Sequence, residues 1–208
     1  MEFDFSAVSG RDRYKLMVAT IVPRPIAWVV TQSRAGVVNA APYSFFNGVS
    51  ADPPLLSISI EARADGSPKD TAVNIRESGQ FVVNLVNEAM ARAMVATAVD
   101  FAPEVSEVTE AGLAVAASTR VGPPRLADSP VAFECETYQT VSLPHGRDLV
   151  IGRVVTMHIA DAAVLDASRC YVDTPALDLV GRMHGSGWYS RTRDRMEIER
   201  VSVEEWRR

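Results

Sequence analysis

One stretch decides the fold of this chain: it reads Arg24-Pro-Ile-Ala-Trp-Val-Val-Thr31, then Asn39-Ala-Ala-Pro-Tyr-Ser-Phe-Phe-Asn47, then Asp52-Pro-Pro54. Residues 26–31 are apolar and β-branched, which is typical of a strand. Residues 32–36 end in glycine and indicate a hairpin turn, after which a return strand begins. Pro42 lacks the N–H that a β-ladder needs, so we expect residues 41–47 to leave the sheet as a loop at its edge.

The predicted loop combines flat apolar side chains with hydrogen-bonding groups. Tyr43, Phe45 and Phe46 offer apolar area, while Ser44, Asn47 and free backbone N–H groups offer polar contacts. A planar ring with heteroatoms at its edge needs that combination of stacking area and edge hydrogen bonds. The same aromatic side chains could instead close one end of a barrel, as core residues.

A second informative place is the start of a helix near residue 67. Ser67 as N-cap, Pro68 at the first helical position and Asp70 three residues after the cap form a variant of the capping box, and Gly79 marks the end of the helix. The unpaired N–H groups of a helix start, together with Lys69, form an anion site suited to a terminal phosphate. The alternative is a solvated surface helix with an incidental lysine. Asp70 would repel a phosphate unless capping engages its carboxylate.

The remaining chain is rich in strand patterns. Residues 55–60 alternate between apolar and small polar side chains, and residues 80–87 form a second apolar run. Residues 131–141 and 149–160 are rich in Val, Ile and Thr and lie on either side of a short turn at 143–147, which predicts an antiparallel hairpin.

Composition excludes several classes of function. The 208 residues are 47% hydrophobic and 23% charged, which is typical of a globular domain, and the net charge of -5 argues against a nucleic-acid surface. The apolar runs are too short to span a bilayer, and the acidic N-terminus does not resemble a secretory signal. Cys135 and Cys170 are far apart in the sequence, so we expect no disulfide framework and a cytoplasmic location. His145, His158 and His184 do not form a local metal motif, so we expect no metal site.

Taken together, the motifs resemble the flavin reductase-like family of FMN-binding split-barrel flavoproteins. The matching strings are Arg-Pro-Ile-Ala-Trp (24–28), Asn-Ala-Ala-Pro-Tyr-Ser-Phe-Phe-Asn (39–47), Asp-Pro-Pro (52–54), Pro-Lys-Asp-Thr (68–71), Asn-Ile (74–75) and Phe-Val-Val-Asn-Leu-Val (81–86). The resemblance runs in order from about residue 14 to residue 195. It implies a mainly β fold with flanking helices, namely an antiparallel Greek-key split β-barrel formed by residues 1–208 as a single domain.

The resemblance also implies a set of residues that contact FMN. The candidates are Arg24, Asn39, Ala41, Pro42, Tyr43, Ser44, Phe45, Asn47, Ser67, Lys69, Asp70 and Thr71. Arg24 could reach the phosphate or the ring edge, or it could hold the loop through carbonyl groups, whereas Trp28 is expected in the core. His184 and Tyr189 are candidates for contacts on the electron-donor side, and His184 could equally be a loop histidine without a role. We expect no catalytic side chain, because N5 of the flavin carries the chemistry.

Three functions are compatible with this resemblance. The first is an FMN-binding oxidoreductase that transfers hydride from NADH or NADPH to flavin, in a homodimer and in some cases beside a partner monooxygenase or another electron acceptor. The second is a flavoredoxin-like electron carrier without its own nicotinamide site. The third is a barrel that has lost its flavin, and the intact aromatic loop and the lysine at the helix start argue against it.

Overall fold

A computed structural model gives the structure of the chain and describes residues 1–185 and 187–207. The strands are β1 (Ala27–Gln32), β2 (Val38–Tyr43), β3 (Phe46–Ala51), β4 (Pro54–Ile60), β5 (Gln80–Asn84), β6 (Val115–Ala116), β7 (Arg125–Leu126), β8 (Val131–Leu143), β9 (Arg147–Ile159), β10 (Val164–Asp166), β11 (Tyr171–Val172), β12 (Val180–Arg182) and β13 (Tyr189–Arg191). The α-helices are α1 (Gly10–Thr20), α2 (Asp70–Ser78), α3 (Ala91–Ala96), α4 (Glu107–Glu110) and α5 (Val203–Trp206).

Seven strands form one antiparallel sheet in the order β2-β1-β5-β8-β9-β4-β3. The two ends of that order, β2 and β3, follow each other directly in the chain. The sheet therefore curls so that its first and last strands meet without pairing, and this confirms the predicted split barrel. The long hairpin of β8 and β9 is also confirmed, and its strands pair from Val131↔Ile159 to Leu143↔Arg147.

The prediction that residues 41–47 form a loop is wrong. Pro42 pairs with Trp28 inside β2, only Ser44 and Phe45 connect β2 to β3, and Asn47 lies within β3. The physical reason is that β2 is an edge strand with a single neighbour. Half of its N–H groups have no ladder partner, so a proline at such a position removes no hydrogen bond from the sheet.

The two faces of the sheet carry separate apolar layers. Successive side chains of a strand point to opposite faces, so Trp28 and Val30 join one cluster while Val29 joins the other. Trp28 is fully buried, as predicted, and its Nε1 donates to Oγ1 of Thr97 at 2.9 Å. None of the helices in the described residues combines the length and apolarity that crossing a bilayer requires.

Candidate functional site

Two neighbouring cavities open beside β2 and share Pro42, Tyr43 and Ala98 in their walls. Cavity A has a volume of about 220 Å³ and cavity B about 60 Å³. Because they share these residues they lie side by side, near the split between β2 and β3, and we refer to the two together as the cleft.

Cavity A is aromatic and cationic. Its four rings come from three separate parts of the chain and belong to Tyr14, to Tyr43 and Phe45, and to Tyr189. The guanidinium of Arg147 lies 5.7 Å from the centre of the Phe45 ring and donates to Oγ of Ser59 and to Oε2 of Glu61. This end of the cleft therefore offers flat apolar surface beside positive charge.

Arg24 holds the wall of cavity A through carbonyl groups. Its Nη1 donates to the carbonyls of Val18 at 2.8 Å and Ile21 at 2.7 Å, and its Nη2 donates to that of Met183 at 2.7 Å. Its Nε lies 3.4 Å from Oγ of Ser44, and the side chain is almost completely buried. Burial lowers the pKa of Arg24. Of the two roles expected for Arg24, this geometry matches the structural one, in which it ties α1 and the 183 segment to the start of β1.

Cavity B is polar, and its walls carry charged side chains of both signs. Arg63 pairs with Asp70 at 2.5 Å, and Nζ of Lys69 lies 3.6 Å from Oδ1 of Asp100. Glu107 also lines cavity B and is buried, and burial raises the pKa of its carboxyl group. Asp70 is thus engaged by an arginine rather than by helix capping.

The predicted capping box at residue 67 is wrong. Helix α2 begins at Asp70 with Lys69 as N-cap and without a side-chain cap, although Gly79 ends it in the left-handed conformation as predicted. Oγ of Ser67 instead donates to Oδ1 of Asp65 at 2.6 Å, which stabilises the turn before the helix. A serine can bond to a nearby aspartate in a turn as readily as it can cap a helix, and here the turn wins. The helix start consequently meets cavity B at Lys69.

A buried hydrogen-bond network fixes the wall of cavity B. Oδ1 of Asn39 accepts from Oγ1 of Thr31 at 3.2 Å and from Oγ1 of Thr71 at 2.8 Å. Nδ2 of Asn39 donates to Oε1 of Glu107 at 2.9 Å, and the backbone N–H of Ala40 donates to Oε2 of the same carboxylate. The network joins β1, β2, α2 and α4, so the polar wall is preorganised.

Two polar atoms in the walls of cavity B are buried without a partner. These are the hydroxyl of Tyr43 and Nε of Arg63, and neither has a hydrogen-bond partner among the described residues. Tyr43 is 7% exposed, and burial raises the pKa of its phenol above the ordinary range, although the neighbouring hydroxyl of Thr71 opposes that shift. A buried polar group without a partner costs about 1–3 kcal/mol. Such atoms in a cavity wall are available for hydrogen bonds to a polar ligand.

The structure brings most of the predicted site residues together. The predicted residues that line the cleft are Asn39, Ala41, Pro42, Tyr43, Ser44, Phe45, Lys69, Asp70, Thr71 and Tyr189. Arg24, Asn47, Ser67 and His184 are not among the lining residues. Oδ1 of Asn47 accepts from the N–H of Gly48, and the ring of His184 packs 5.5 Å from that of Trp188.

Sequence reasoning missed Tyr14, Arg63, Arg147 and Arg182. Arg147 lies in the predicted turn between β8 and β9, and only the pairing of β9 with β4 brings it next to Ser59. Arg182 reaches cavity A because β12 bridges to Arg24. The one signal available in the sequence was that the three arginines lie beside glycine-containing turns, and Tyr14 had no such signal.

Comparison with known proteins places this chain in a family. Residues 18–177 match the family model described as flavin reductase like domain. The chain belongs to the flavin reductase like domain family. The resemblance inferred from the motifs is thereby confirmed. Among relatives of this family member, an uncharacterized protein of Deinococcus radiodurans is 44% identical over 98% of this chain and 91% of its own length.

Two solved structures are also similar along nearly the whole chain. The 2-nitrobenzoate 2-nitroreductase NbaA of Pseudomonas fluorescens superposes with a TM-score of 0.89 at 33% identity, covering 98% of each chain. Component B of nitrilotriacetate monooxygenase from Bacillus cereus superposes with a TM-score of 0.88 at 32% identity, covering 95% of this chain and 98% of that one. The flavoredoxin of Desulfovibrio vulgaris shares the fold, with a TM-score of 0.76 at 17% identity over 98% of this chain and 100% of that one.

Proposed function

We propose that this chain is an FMN-binding oxidoreductase, a single domain that transfers hydride from NADH or NADPH to flavin. The observation that carries the proposal is the pair of buried, unpartnered polar atoms, the Tyr43 hydroxyl and the Arg63 Nε, in a cleft whose other end is aromatic. FMN offers a flat ring at one end and a polar, phosphorylated chain at the other. Family membership supports the flavin, and the cleft has the matching division into an aromatic part and a polar part.

The aromatic part suits the ring. Tyr43 and Phe45 supply flat surface, and Pro42 and Ser44 complete the wall, while Ala41 lines the neighbouring cavity B. Because the β2–β3 connection is only two residues long, the wall is held rigidly between two strands. When bound there, FMN would supply the chemistry of accepting a hydride and passing its electrons on.

The polar part suits the phosphorylated chain. Asn39 and Thr71 are held by the buried network, and the start of α2 with Lys69 offers positive charge to a phosphate. Asp70 does not oppose an anion, because Arg63 neutralises it. A phosphate at this position competes with Asp100 for the ammonium of Lys69.

Side chains on the second face of the cleft orient the electron donor. Tyr189 lines cavity A from β13, and its ring stacks against Arg182. His184 lies outside the lining set, so we assign no donor contact to it. Since no acid–base pair is needed for hydride transfer to flavin, the work of this chain is to bind, to orient and to exclude water.

Three similar proteins support different routes by which the reduced flavin passes on its electrons. The likeness to component B of nitrilotriacetate monooxygenase supports a role as the reductase component of a two-component monooxygenase. The likeness to 2-nitrobenzoate 2-nitroreductase supports a second candidate, in which FMN stays bound and reduces an organic acceptor in the same cleft. A flavoredoxin-like carrier, reduced by a protein rather than by a nicotinamide, is the third candidate and has support from the fold alone.

We also propose that two copies of the chain pair in a reducing cytoplasm. Both cysteines are free thiols. The segment after β13 leaves large apolar side chains exposed: Met196, Ile198, Val201, Val203 and Trp206. A monomer gains nothing from that exposure, whereas a second copy could cover it. Sedimentation of the whole protein at several concentrations tests this, and a monomer at every concentration would contradict it.

The experiment that tests the function is a visible absorbance spectrum of the purified protein, repeated anaerobically after FMN and then NADH or NADPH are added. Prompt bleaching of a protein-bound flavin band is the expected result. A bound band that ignores both nicotinamides would favour the carrier. Failure of the protein to bind FMN would refute every flavin function.

A further inference from the structure

Arg182 is held in place by its backbone on two sides. In the β12–β13 pair it lies directly opposite Tyr189. On its other side it forms an isolated bridge with Arg24, in which the N–H of Arg24 donates to the Arg182 carbonyl at 2.9 Å and the N–H of Arg182 donates to the Arg24 carbonyl at 2.8 Å. The backbone of Arg182 therefore has a paired neighbour on each side, like that of a residue in the middle of a sheet.

The side chain of Arg182 is oriented as well, yet it has no acidic partner. Its guanidinium carbon lies 4.8 Å from the centre of the Tyr189 ring, and the side chain lines cavity A. Among residues 1–185 and 187–207, no carboxylate forms an ion pair with it. The neighbouring Arg191, by contrast, is paired with Glu88. An arginine that is fixed and stacked but unpaired keeps the planar, bidentate donor set with which guanidinium groups bind carboxylates and phosphates.

Positive charge is in excess around cavity A. Among its lining residues, the guanidinium groups of Arg147 and Arg182 stand against the single carboxylate of Glu61, which already pairs with Arg147. The guanidinium of Arg24 lies behind the wall, with its Nε 3.4 Å from Oγ of Ser44. Arg24 meets only carbonyl groups and a hydroxyl, and its backbone pairs directly with that of Arg182. The whole chain carries a net charge of -5, so this local excess runs against the overall composition.

We propose that cavity A binds a second, ring-bearing anion beside the flavin, and that Arg182 is the residue that receives its negative group. The inference rests on the proposed flavin function and adds the ligand class and the residue that selects it. The rings of Tyr14 and Tyr189 in the wall of cavity A offer surface to a flat ring, whose anionic substituent meets the guanidinium. The anion belongs either to an aromatic carboxylate that accepts electrons or to the phosphates of a nicotinamide dinucleotide that donates them.

The test compares Arg182→Gln with Arg191→Gln in the FMN-loaded protein. Both variants remove one arginine charge from the same β12–β13 pair, but Arg191 lies outside both cavities. The probes are benzoate and benzamide, which share a shape and differ in charge, and NAD⁺ with nicotinamide as its uncharged fragment. Binding is followed by calorimetry and by the change in flavin absorbance, so the result does not depend on turnover.

We expect Arg182→Gln to weaken the binding of at least one anionic probe by fivefold or more, with benzamide and nicotinamide changed less than twofold and Arg191→Gln close to wild type. Selective loss of benzoate identifies the acceptor carboxylate, and selective loss of NAD⁺ identifies the donor phosphates. Unchanged binding of both anions, or no binding of either by the wild type, would overturn the proposal.

An equal loss of FMN affinity in Arg182→Gln would also overturn it, because Arg182 would then belong to the flavin site. FMN uptake by the wild type is measured first, so failure of the proposed function is seen separately. In that case calorimetry with benzoate on the flavin-free protein still tests Arg182. If Arg182→Gln does not fold, Arg182→Lys keeps the charge but not the planar fork, and we expect it to lose about half of the preference for benzoate over benzamide.

Discussion

The ammonium of Lys69 lies 3.6 Å from Oδ1 of Asp100, so the cation that we assign to the flavin phosphate already has an anionic neighbour. Asp100 is largely exposed, whereas Lys69 is mostly buried. A phosphate, with its higher charge, can displace such an exposed carboxylate. We therefore expect FMN binding to weaken when Lys69 is replaced and to strengthen when Asp100 is replaced.

Replacing Lys69 with alanine should weaken FMN binding several-fold, because a phosphate at the start of α2 loses its full positive charge and keeps only the helix dipole. Fluorescence titration with FMN measures the effect. Riboflavin, which lacks the phosphate, should bind both forms equally. The matched control is Lys15→Ala, since Lys15 is exposed on α1 and pairs with Asp12. Unchanged FMN affinity in Lys69→Ala would remove Lys69 from the site.

Replacing Asp100 with asparagine should strengthen FMN binding, because the ammonium of Lys69 is then no longer shared. We expect an increase of about twofold to fivefold at low salt, and a smaller increase at high salt, since screening weakens exposed charge pairs. The same titration, carried out at two salt concentrations, measures it. A decrease in affinity would show that Asp100 contacts the ligand rather than competing with it.

Replacing Tyr43 with phenylalanine should affect stability and binding in opposite directions. The Tyr43 hydroxyl is buried without a partner, so its removal should stabilise the flavin-free protein by about 1 kcal/mol. If that hydroxyl bonds to FMN, affinity should fall at the same time. Urea unfolding of the flavin-free protein and titration with FMN give the two values. A loss of stability without any change in affinity would assign Tyr43 to the core alone.

Glu134 gives a prediction about pH. It is fully buried, and its carboxylate accepts from His158 at 2.6 Å and from the backbone N–H groups of Thr119, Arg120 and Val121. Burial raises the pKa of Glu134, but these hydrogen bonds outweigh it and hold the pKa below its ordinary value of 4.5. A depressed carboxyl pKa stabilises the fold above the unfolded value, and this contribution is lost as pH falls through the folded value.

Glu134→Gln should therefore destabilise the protein by about 3 kcal/mol at pH 7, because the amide NH2 of glutamine would face backbone N–H groups that donate to the carboxylate in the wild type. The difference from wild type should shrink at pH values below 4.5. Urea unfolding at a series of pH values measures both effects. Glu136→Gln, on the exposed face of β8, is the control and should change stability by less than about 0.5 kcal/mol. A difference that grows on acidification would contradict this account.

Gly152 tests the packing of the barrel. A Cβ at this position would overlap the ring of Phe81, which is fully buried and cannot move aside. Gly152→Ala should cost about 1–3 kcal/mol of stability. Gly48→Ala places its methyl group where nothing lies within 4 Å, so it should be nearly neutral. Thermal unfolding compares the two variants, and equal melting temperatures would show that the core yields at this point.

Sequence patterns predicted the strands well because each is a local property. The apolar run at 26–31 and the hairpin at residues 131–160 needed only alternation and turn residues, and both are present. The loop predicted at Pro42 is wrong because the sequence does not show that this strand has only one neighbour. The N-cap predicted at Ser67 is wrong because helix capping and the turn with Asp65 use the same side chain, and only the folded backbone decides between them.

The site was predicted in part for the same reason. Residues 41–45 and 69–71 each form a compact motif, so their clustering in the walls of the cleft could be predicted from the sequence. Arg182 and Arg147 acquire their positions from pairings with Arg24 and with β4, which lie far away in the chain. No local pattern distinguishes these arginines from Arg191, which is paired with Glu88 outside the cleft.

The split between β2 and β3 has a consequence for how such a protein can change over generations. The ladder that holds the barrel together is complete without this seam, since every other neighbouring pair in the sheet is bonded. The seam can therefore accept altered side chains at Ser44 or Phe45 without loss of strand pairing. In such a scaffold the strand pairing can stay the same while the side chains at the cleft vary, so one barrel can admit different ligands.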